Sequence, residues 1–308
     1  MSGLKKTLKH YKDELILGLT AIAVGIIVGA IETLFGRGLS EITNIRNKYV
    51  YLLIPCLPLA GMLIVFTYSK IGRNSIKGMS LIFSAAFKEE DTIPKRLVPL
   101  LMISTWLTHL FGGSAGREGA AVQIGGTVAH SVGKRVKIKN GSRILLITGM
   151  AAGFAGMFQT PVAAIFFAME VLTAGVVEYC ALFPCIMASF SNGKIYNYDW
   201  ILKFILTILT VSAGFQGGEV TPLFSIGASL GVVIAPVLGL PAEFAAALGF
   251  VAVFGGGTNT VIAPVFVGAE VFGTDYLPYF FIVSAIAYVF NGNKSIYSKQ
   301  RISADLVY

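Results

Sequence analysis

The 308-residue chain predicts an all-α polytopic membrane protein of two related halves, and three observations carry that prediction. The first is composition: 55% of residues are apolar and 13% charged, with mean hydropathy +0.75, where soluble domains carry about a quarter charged residues. The second is a series of apolar runs at 15–35, 51–71, 97–111, 144–172, 176–190, 201–215, 224–240, 244–254, 261–272 and 276–290. The third is internal repetition.

A soluble core helix could account for one such run, but not for ten. Several are too short or too glycine-rich to cross a bilayer as straight helices of roughly 20 residues. Broken helices at membrane depth are tolerated where they line a cavity, and they mark transporters. The first run, 15–35, follows Lys5, Lys6, Lys9 and Lys12 and has no small-residue cleavage site after it, so it reads as a retained span and not as a signal peptide.

The net charge of +8 is unevenly spread. Besides the four N-terminal lysines, Lys134, Arg135, Lys137, Lys139 and Arg143 form one loop, and Lys294, Lys299 and Arg301 lie near the C-terminus. By the positive-inside rule these three regions mark the cytoplasmic face of a multi-pass protein. No basic stretch is interleaved with aromatics, which argues against nucleic acid as a partner.

Repetition appears when the chain is offset by about 102 residues: Gly116-Arg117-Glu118-Gly119-Ala120 falls on Gly218-Glu219-Val220-Thr221-Pro222, and Ile124-Gly125 on Ile226-Gly227. At an offset of about 100, Thr160, Ala163, Phe166, Glu170 and Val171 fall on Thr260, Ala263, Phe266, Glu270 and Val271. Two halves with corresponding glycine-broken segments are the expected plan of a secondary transporter, with its binding site where the repeats meet. The halves are expected at 1–192 and 193–308. Whether they are inverted is not legible from the sequence.

The stretch around Gly116-Arg117-Glu118-Gly119 carries the chemistry. A carboxylate buried away from water costs several kcal/mol unless it is paired or protonated, so Glu118 is a candidate functional group. The glycines let backbone N–H groups point at a ligand, and a helix starting there adds its positive dipole end. Such a nest holds an anion, or the Glu118 carboxylate itself.

Other chemistries are not visible. Cys56, Cys180 and Cys185 lie in apolar runs without metal-ligand spacing, and His10, His109 and His130 are scattered, so no metal is expected. No Walker sequence, dinucleotide fingerprint or nucleophile–base pattern is present. The chain is therefore expected to be neither an ATP-driven pump nor an enzyme, and to need no cofactor.

Taken together, these motifs resemble the CLC anion channel and transporter family, and within it the fluoride-selective, proton-coupled branch. Residues 116–119 match the family's GREGP motif, with Ala120 in place of the proline. Gly218-Glu219-Val220-Thr221-Pro222 occupies the GxFxP position, with Val220 where the phenylalanine would stand and a glutamate beside it, as in the fluoride branch. Residues 72–79 lie where chloride-type members carry GSGIP; that motif is absent, and Met79 stands near the position of their chloride-coordinating serine. Ser295-Ile296-Tyr297-Ser298 resembles the segment that supplies the anion-coordinating tyrosine. The resemblance covers nearly the whole chain, with one departure. A complete CLC transporter of two full repeats is longer by about 100 residues, and the shortfall lies between Phe190 and Tyr198, where the helices opening the second half are missing. The site motifs on both sides are intact, which favours a stretch left out of the sequence over a true truncation. A truncation would expose packing surfaces and put transport itself in doubt.

The resemblance implies a CLC-type fold of inverted repeats, a homodimer with one pathway per subunit, a bacterial plasma-membrane location, and fluoride, possibly chloride, exchanged for protons. It makes Glu118 the gating glutamate, which competes with the anion when charged and carries a proton when neutral, and Glu219 a second proton-handling group. Gly116, Arg117, Gly119, Met79, Val220, Thr221 and Tyr297 become the anion-binding set. From the residues alone, Glu118 could instead be permanently paired to Arg117, Glu219 a helix cap, Met79 packing, and Tyr297 an interface anchor. Glu170 and Glu270 are expected to face water at span ends, and Phe158 and Phe166 to be core. Val171 follows Glu170 where chloride-type exchangers carry an internal proton glutamate. Three readings follow: a fluoride/proton antiporter exporting fluoride, a chloride-type exchanger or passive anion channel, and a non-transporting membrane scaffold.

Overall fold

The computed structural model describes residues 2–90, 92–174, 176–177 and 220–302, with the backbone alone at 2–8, 10, 221 and 302. The runs 176–190 and 201–215, apart from 176–177, lie outside these residues, as do Cys180, Cys185 and Glu219. The described elements are almost entirely helical. They are α1 (Ser2–Lys48), α2 (Leu57–Thr67), α3 (Met79–Ala86), α4 (Leu97–Leu110), α5 (Glu118–Gly133), α6 (Gly141–Phe158), α7 (Pro161–Glu170), α8 (Val220–Leu238), α9 (Ala242–Thr258), α10 (Ile262–Phe272) and α11 (Leu277–Phe290).

Among the described residues, three stretches, 11–48, 50–86 and 141–158, are long and apolar enough to cross a membrane; the other apolar helices run 10–17 residues. α1 buries one stripe, Leu17, Ala21, Val24, Val28, Phe35 and Leu39, and leaves Leu15, Leu19, Ile22, Ile26 and Leu34 exposed on the other. Exposed apolar residues along so much of one helix suit lipid and not water. The run 144–172 is two helices and not one span. α6 stops at Phe158 because Gln159 turns left-handed (φ 60°), and Pro161, with no N–H to lose, opens α7.

The repeat legible in the sequence is a repeat in space. α5, α6 and α7 correspond to α8, α9 and α10. α5 crosses α6 at Gly125 and Gly149, where a Cβ on Gly125 would lie 2.0 Å from the Gly149 carbonyl oxygen; α8 crosses α9 at Gly227 and Gly249, with the equivalent approach at 2.2 Å. Only glycine lets the backbones come this close, as at small-residue helix interfaces in membranes. α9 ends as α6 does: Asn259 is left-handed (φ 55°) and donates its N–H to Gly255, as Gln159 does to Ala155. The two units meet face to face, with the Phe166 and Phe266 rings stacked at 4.5 Å and 9°.

The C-terminal segment ties the halves together. Ile296 N–H donates to the Gly257 carbonyl, Gln300 Nε2 to the carbonyls of Val171 and Thr258 at 2.9 Å each, and Arg301 N–H to Leu172. Thr173–Ala174 (β1) pairs in parallel with Arg301–Ile302 (β2). Two of the basic regions, the 134–143 loop and the C-terminal segment, converge on one face. Arg143 and Arg301 lie over the Phe87 ring, Lys299 and Arg301 reach Glu89 at 3.3 and 3.0 Å, and Lys88 reaches Asn140.

Candidate anion and proton site

Two helices begin at residues of the expected set. α3 opens at Met79 and α5 at Glu118, the described part of α8 begins at Val220, and α5 packs against both α3 and α8. Each start exposes backbone N–H groups with no partner in their own helix and the positive end of a dipole. α3 can start so abruptly because Gly78 takes φ 54° and ψ −130°, a conformation open to glycine and few other residues.

Glu118 is 2% exposed. Its Oε1 lies 3.5 Å from Arg117 Nε, and its Oε2 is buried with no hydrogen-bond partner among the described residues. The pairing to Arg117 is therefore present, but it leaves half of the carboxylate unsatisfied. Gly116 and Gly119, on either side, are buried. A buried carboxylate with one idle oxygen at a helix N-terminus can hold a proton, or give its place to another anion.

Met79, Val220 and Tyr297 belong to one packed cluster, with Val220 buried in it and the other two packed against it. Tyr297 is set by its neighbours: its ring lies 5.4 Å from that of Phe83 on α3, its N–H donates to Ser295 Oγ, and Ser298 Oγ is 3.3 Å from Ser80 Oγ, beside Met79. The segment bearing Tyr297 thus lies on the start of α3. The backbone of Thr221 is in the first described turn of α8. Glu219 lies outside the described residues.

Glu170 corrects the sequence reading, and Glu270 adds to it. Glu170 is 2% exposed, and its carboxylate accepts hydrogen bonds from the N–H groups of Val261, Ile262 and Ala263 at the start of α10. Glu270 accepts from Val162 and Ala163 at the start of α7, at 3.1 and 2.8 Å. Each carboxylate caps the other half's helix; Glu270 is exposed, as expected, while Glu170 is buried and does not face water. Phe158 and Phe166 are core, as expected, Phe158 meeting Phe224 edge-on at 5.4 Å. Sequence reasoning also passed over Glu32. It is buried in the α1 stripe against Gly156, and neither carboxyl oxygen has a hydrogen-bond partner among the described residues. The signal was a lone glutamate inside the 15–35 apolar run.

A family model described as voltage gated chloride channel matches residues 60–197 and 192–292. The chain belongs to the CLC family. It is 29% identical to a chloride/fluoride channel protein of Pseudomonas syringae pv. tomato over 384 aligned positions, which take in 91% of this chain and 85% of that one. Those 384 positions exceed 91% of 308 residues by roughly a hundred, so the relative has that much sequence with no counterpart here. The two family-model matches meet at 192–197, inside the stretch where the sequence runs short. Among solved structures, a CLC-type fluoride/proton antiporter superposes with a TM-score of 0.88 at 37% identity, over 94% of this chain and 98% of that one. A slow cyanobacterial Cl−/H+ antiporter superposes with a TM-score of 0.70 at 17% identity, over 92% and 96%, which shows the shared fold. The CLC family member described here is a membrane transporter built from two family repeats.

Proposed function

We propose that this CLC protein exports fluoride in exchange for protons, with Glu118 as the gating and proton-carrying glutamate and Glu219 as a second proton-handling group. The observation that carries the reading is a buried carboxylate with an idle oxygen at the N-terminus of α5, a helix that packs against α3, opening at Met79, and against α8. An anion entering there meets backbone N–H groups, and Glu118 must leave as a neutral acid to admit it. Met79 supports fluoride because it offers no hydroxyl where chloride-type members place one. Fluoride holds its hydration shell tightly, so the site must return strong hydrogen bonds; Thr221 and Tyr297 are hydroxyl donors, and a protonated Glu219 adds another. The 37% identical relative is a fluoride/proton antiporter. The reading takes the chain as a transporter and not an enzyme, with halves at 1–192 and 193–308, working as a homodimer in the bacterial plasma membrane.

The second reading is a chloride-type exchanger or passive anion channel, and the likeness to the Pseudomonas chloride/fluoride channel protein favours it. Efflux of fluoride and of chloride from liposomes under matched gradients separates the two. Fluoride export gives fluoride efflux well above chloride efflux, and Thr221→Ala and Glu219→Gln each lower it. Equal rates for the two anions, or unchanged fluoride efflux in both variants, count against the first reading.

A further inference from the structure

On the face where the two basic regions converge, a cavity of about 330 Å³ lies between the end of α5, the 134–140 loop, the start of α6 and the turn after α3. Lys88, Lys134 and Arg143 line it, together with His130, Asn140 and Ser142. One carboxylate, Glu90, also lines it, and that group is engaged by Lys77 and by Asn74 Nδ2 at 3.3 Å. Among the described residues, Lys88 and Lys134 therefore give the lining a surplus of positive charge.

The start of α6 adds to it. The first turn of α6 has no acidic residue, and its cap residue Asn140 makes no side-chain capping bond; the Asn140 amide oxygen instead accepts from Lys88 Nζ at 3.4 Å. The positive end of an 18-residue helix is thus left toward the cavity without a counter-charge from its own sequence. Arg143 is held 5.2 Å over the Phe87 ring, which orders its guanidinium at the rim. A desolvated halide would fill a small part of this volume. A phosphoryl group presents several oxygens at once, enough to meet two ammonium groups and a guanidinium together.

We propose that this cavity binds a phosphate-bearing anion, with Lys88, Lys134 and Arg143 as its contacts. Its position on the basic face, at the ends of membrane helices, favours the headgroup of an anionic phospholipid over free phosphate. The proposal is independent of how fluoride and protons are coupled.

The test uses the full-length protein in detergent, titrated with phosphatidylglycerol or with phosphatidylcholine and read by native mass spectrometry. In parallel, thermal unfolding is followed in inorganic phosphate and in chloride at matched ionic strength. Lys88→Gln/Lys134→Gln is compared with Lys137→Gln/Lys139→Gln, which removes the same charge from exposed positions outside the lining. All four lysines are exposed, so neither variant removes core packing. A lipid-headgroup site gives phosphatidylglycerol retention that falls about tenfold in the first variant and is unchanged in the second, with phosphatidylcholine indifferent throughout. If phosphate, and not the lipid, separates the two variants by a rise in unfolding temperature, the same cavity takes free phosphate. The proposal is overturned if both variants behave alike toward both probes, or if the wild-type protein prefers neither probe over its control.

Discussion

Glu170 and Glu270 exchange places across the repeat. Glu170, at the end of α7, caps the first turn of α10, and Glu270, near the end of α10, caps the first turn of α7. Such an exchange requires α7 and α10 to run antiparallel, each start beside the other's end. The inverted relation of the halves, which the sequence left open, is visible in this one pair of helices.

This exchange sets a stability order. Glu170→Gln keeps the shape but loses charge-assisted bonds to three buried amides, and costs about 3 kcal/mol. Glu270→Gln costs about half as much, because that carboxylate accepts from two amides at a more exposed position. Glu32→Gln costs nothing or stabilises, since the Glu32 carboxyl has no described partner to lose and the amide carries no charge to bury. Denaturant unfolding in detergent, followed by tryptophan fluorescence, checks the order. If Glu32→Gln proved the most damaging of the three, the assignment of partners would be wrong.

The glycine crossings make a second prediction. Gly125→Ala and Gly227→Ala each push a Cβ against a carbonyl oxygen, at 2.0 and 2.2 Å, and the backbone must move apart. Each costs about 3 kcal/mol or abolishes folding. Gly256→Ala, two helix turns from Gly249 in α9 with open space where the Cβ would go, is the control and leaves the yield of folded protein unchanged. Size-exclusion profiles of the three variants decide the matter.

These elements also show what the sequence carries and what it does not. The offset of about 100 residues was readable because glycine pairs and left-handed turns recur at fixed places, and close backbone approach permits few substitutes. The positions of Met79 and Glu118 at helix starts were readable because glycine stands within two residues before each. The exchange of carboxylates was not readable, because Glu170 and its amide partners stand 91 to 93 residues apart and a carboxylate at a helix end ordinarily faces water. The run 144–172 read as one apolar stretch because Gln159 and Pro161 act through backbone geometry and hardly interrupt its hydropathy.

The attachment of the C-terminal segment depends on pH. The Arg301 guanidinium, then the Lys299 ammonium and Ser84, hold the Glu89 carboxyl below the usual carboxylate range. The folded state therefore binds this proton less readily than the unfolded state does. The contribution of Glu89 is fully present above the unfolded carboxylate value, about 4.3, and is lost as pH falls through the lower folded value. Protease cleavage near Lys299 and Arg301, slow at neutral pH, rises as the medium is acidified through that window. In Glu89→Gln it is already high at neutral pH and changes little; a cleavage profile identical to wild type would contradict the link.

Met79 tests selectivity at the start of α3. Met79→Ser restores a hydroxyl where chloride-type members have one, and it should raise chloride efflux relative to fluoride by about tenfold, the size of one added hydrogen bond to an anion. Anion-selective electrode recordings from proteoliposomes check this. An unchanged ratio would take Met79 out of the selectivity site and return it to packing.

The most direct test of the account is fluoride efflux and proton uptake recorded together from liposomes holding the wild-type protein or Glu118→Gln. The neutral amide can neither carry a proton nor compete as an anion for the helix N-terminus. The account predicts proton uptake driven by the fluoride gradient in the wild type, and loss of both proton uptake and most fluoride throughput in Glu118→Gln. Fluoride-driven proton uptake at the wild-type rate in Glu118→Gln would contradict it.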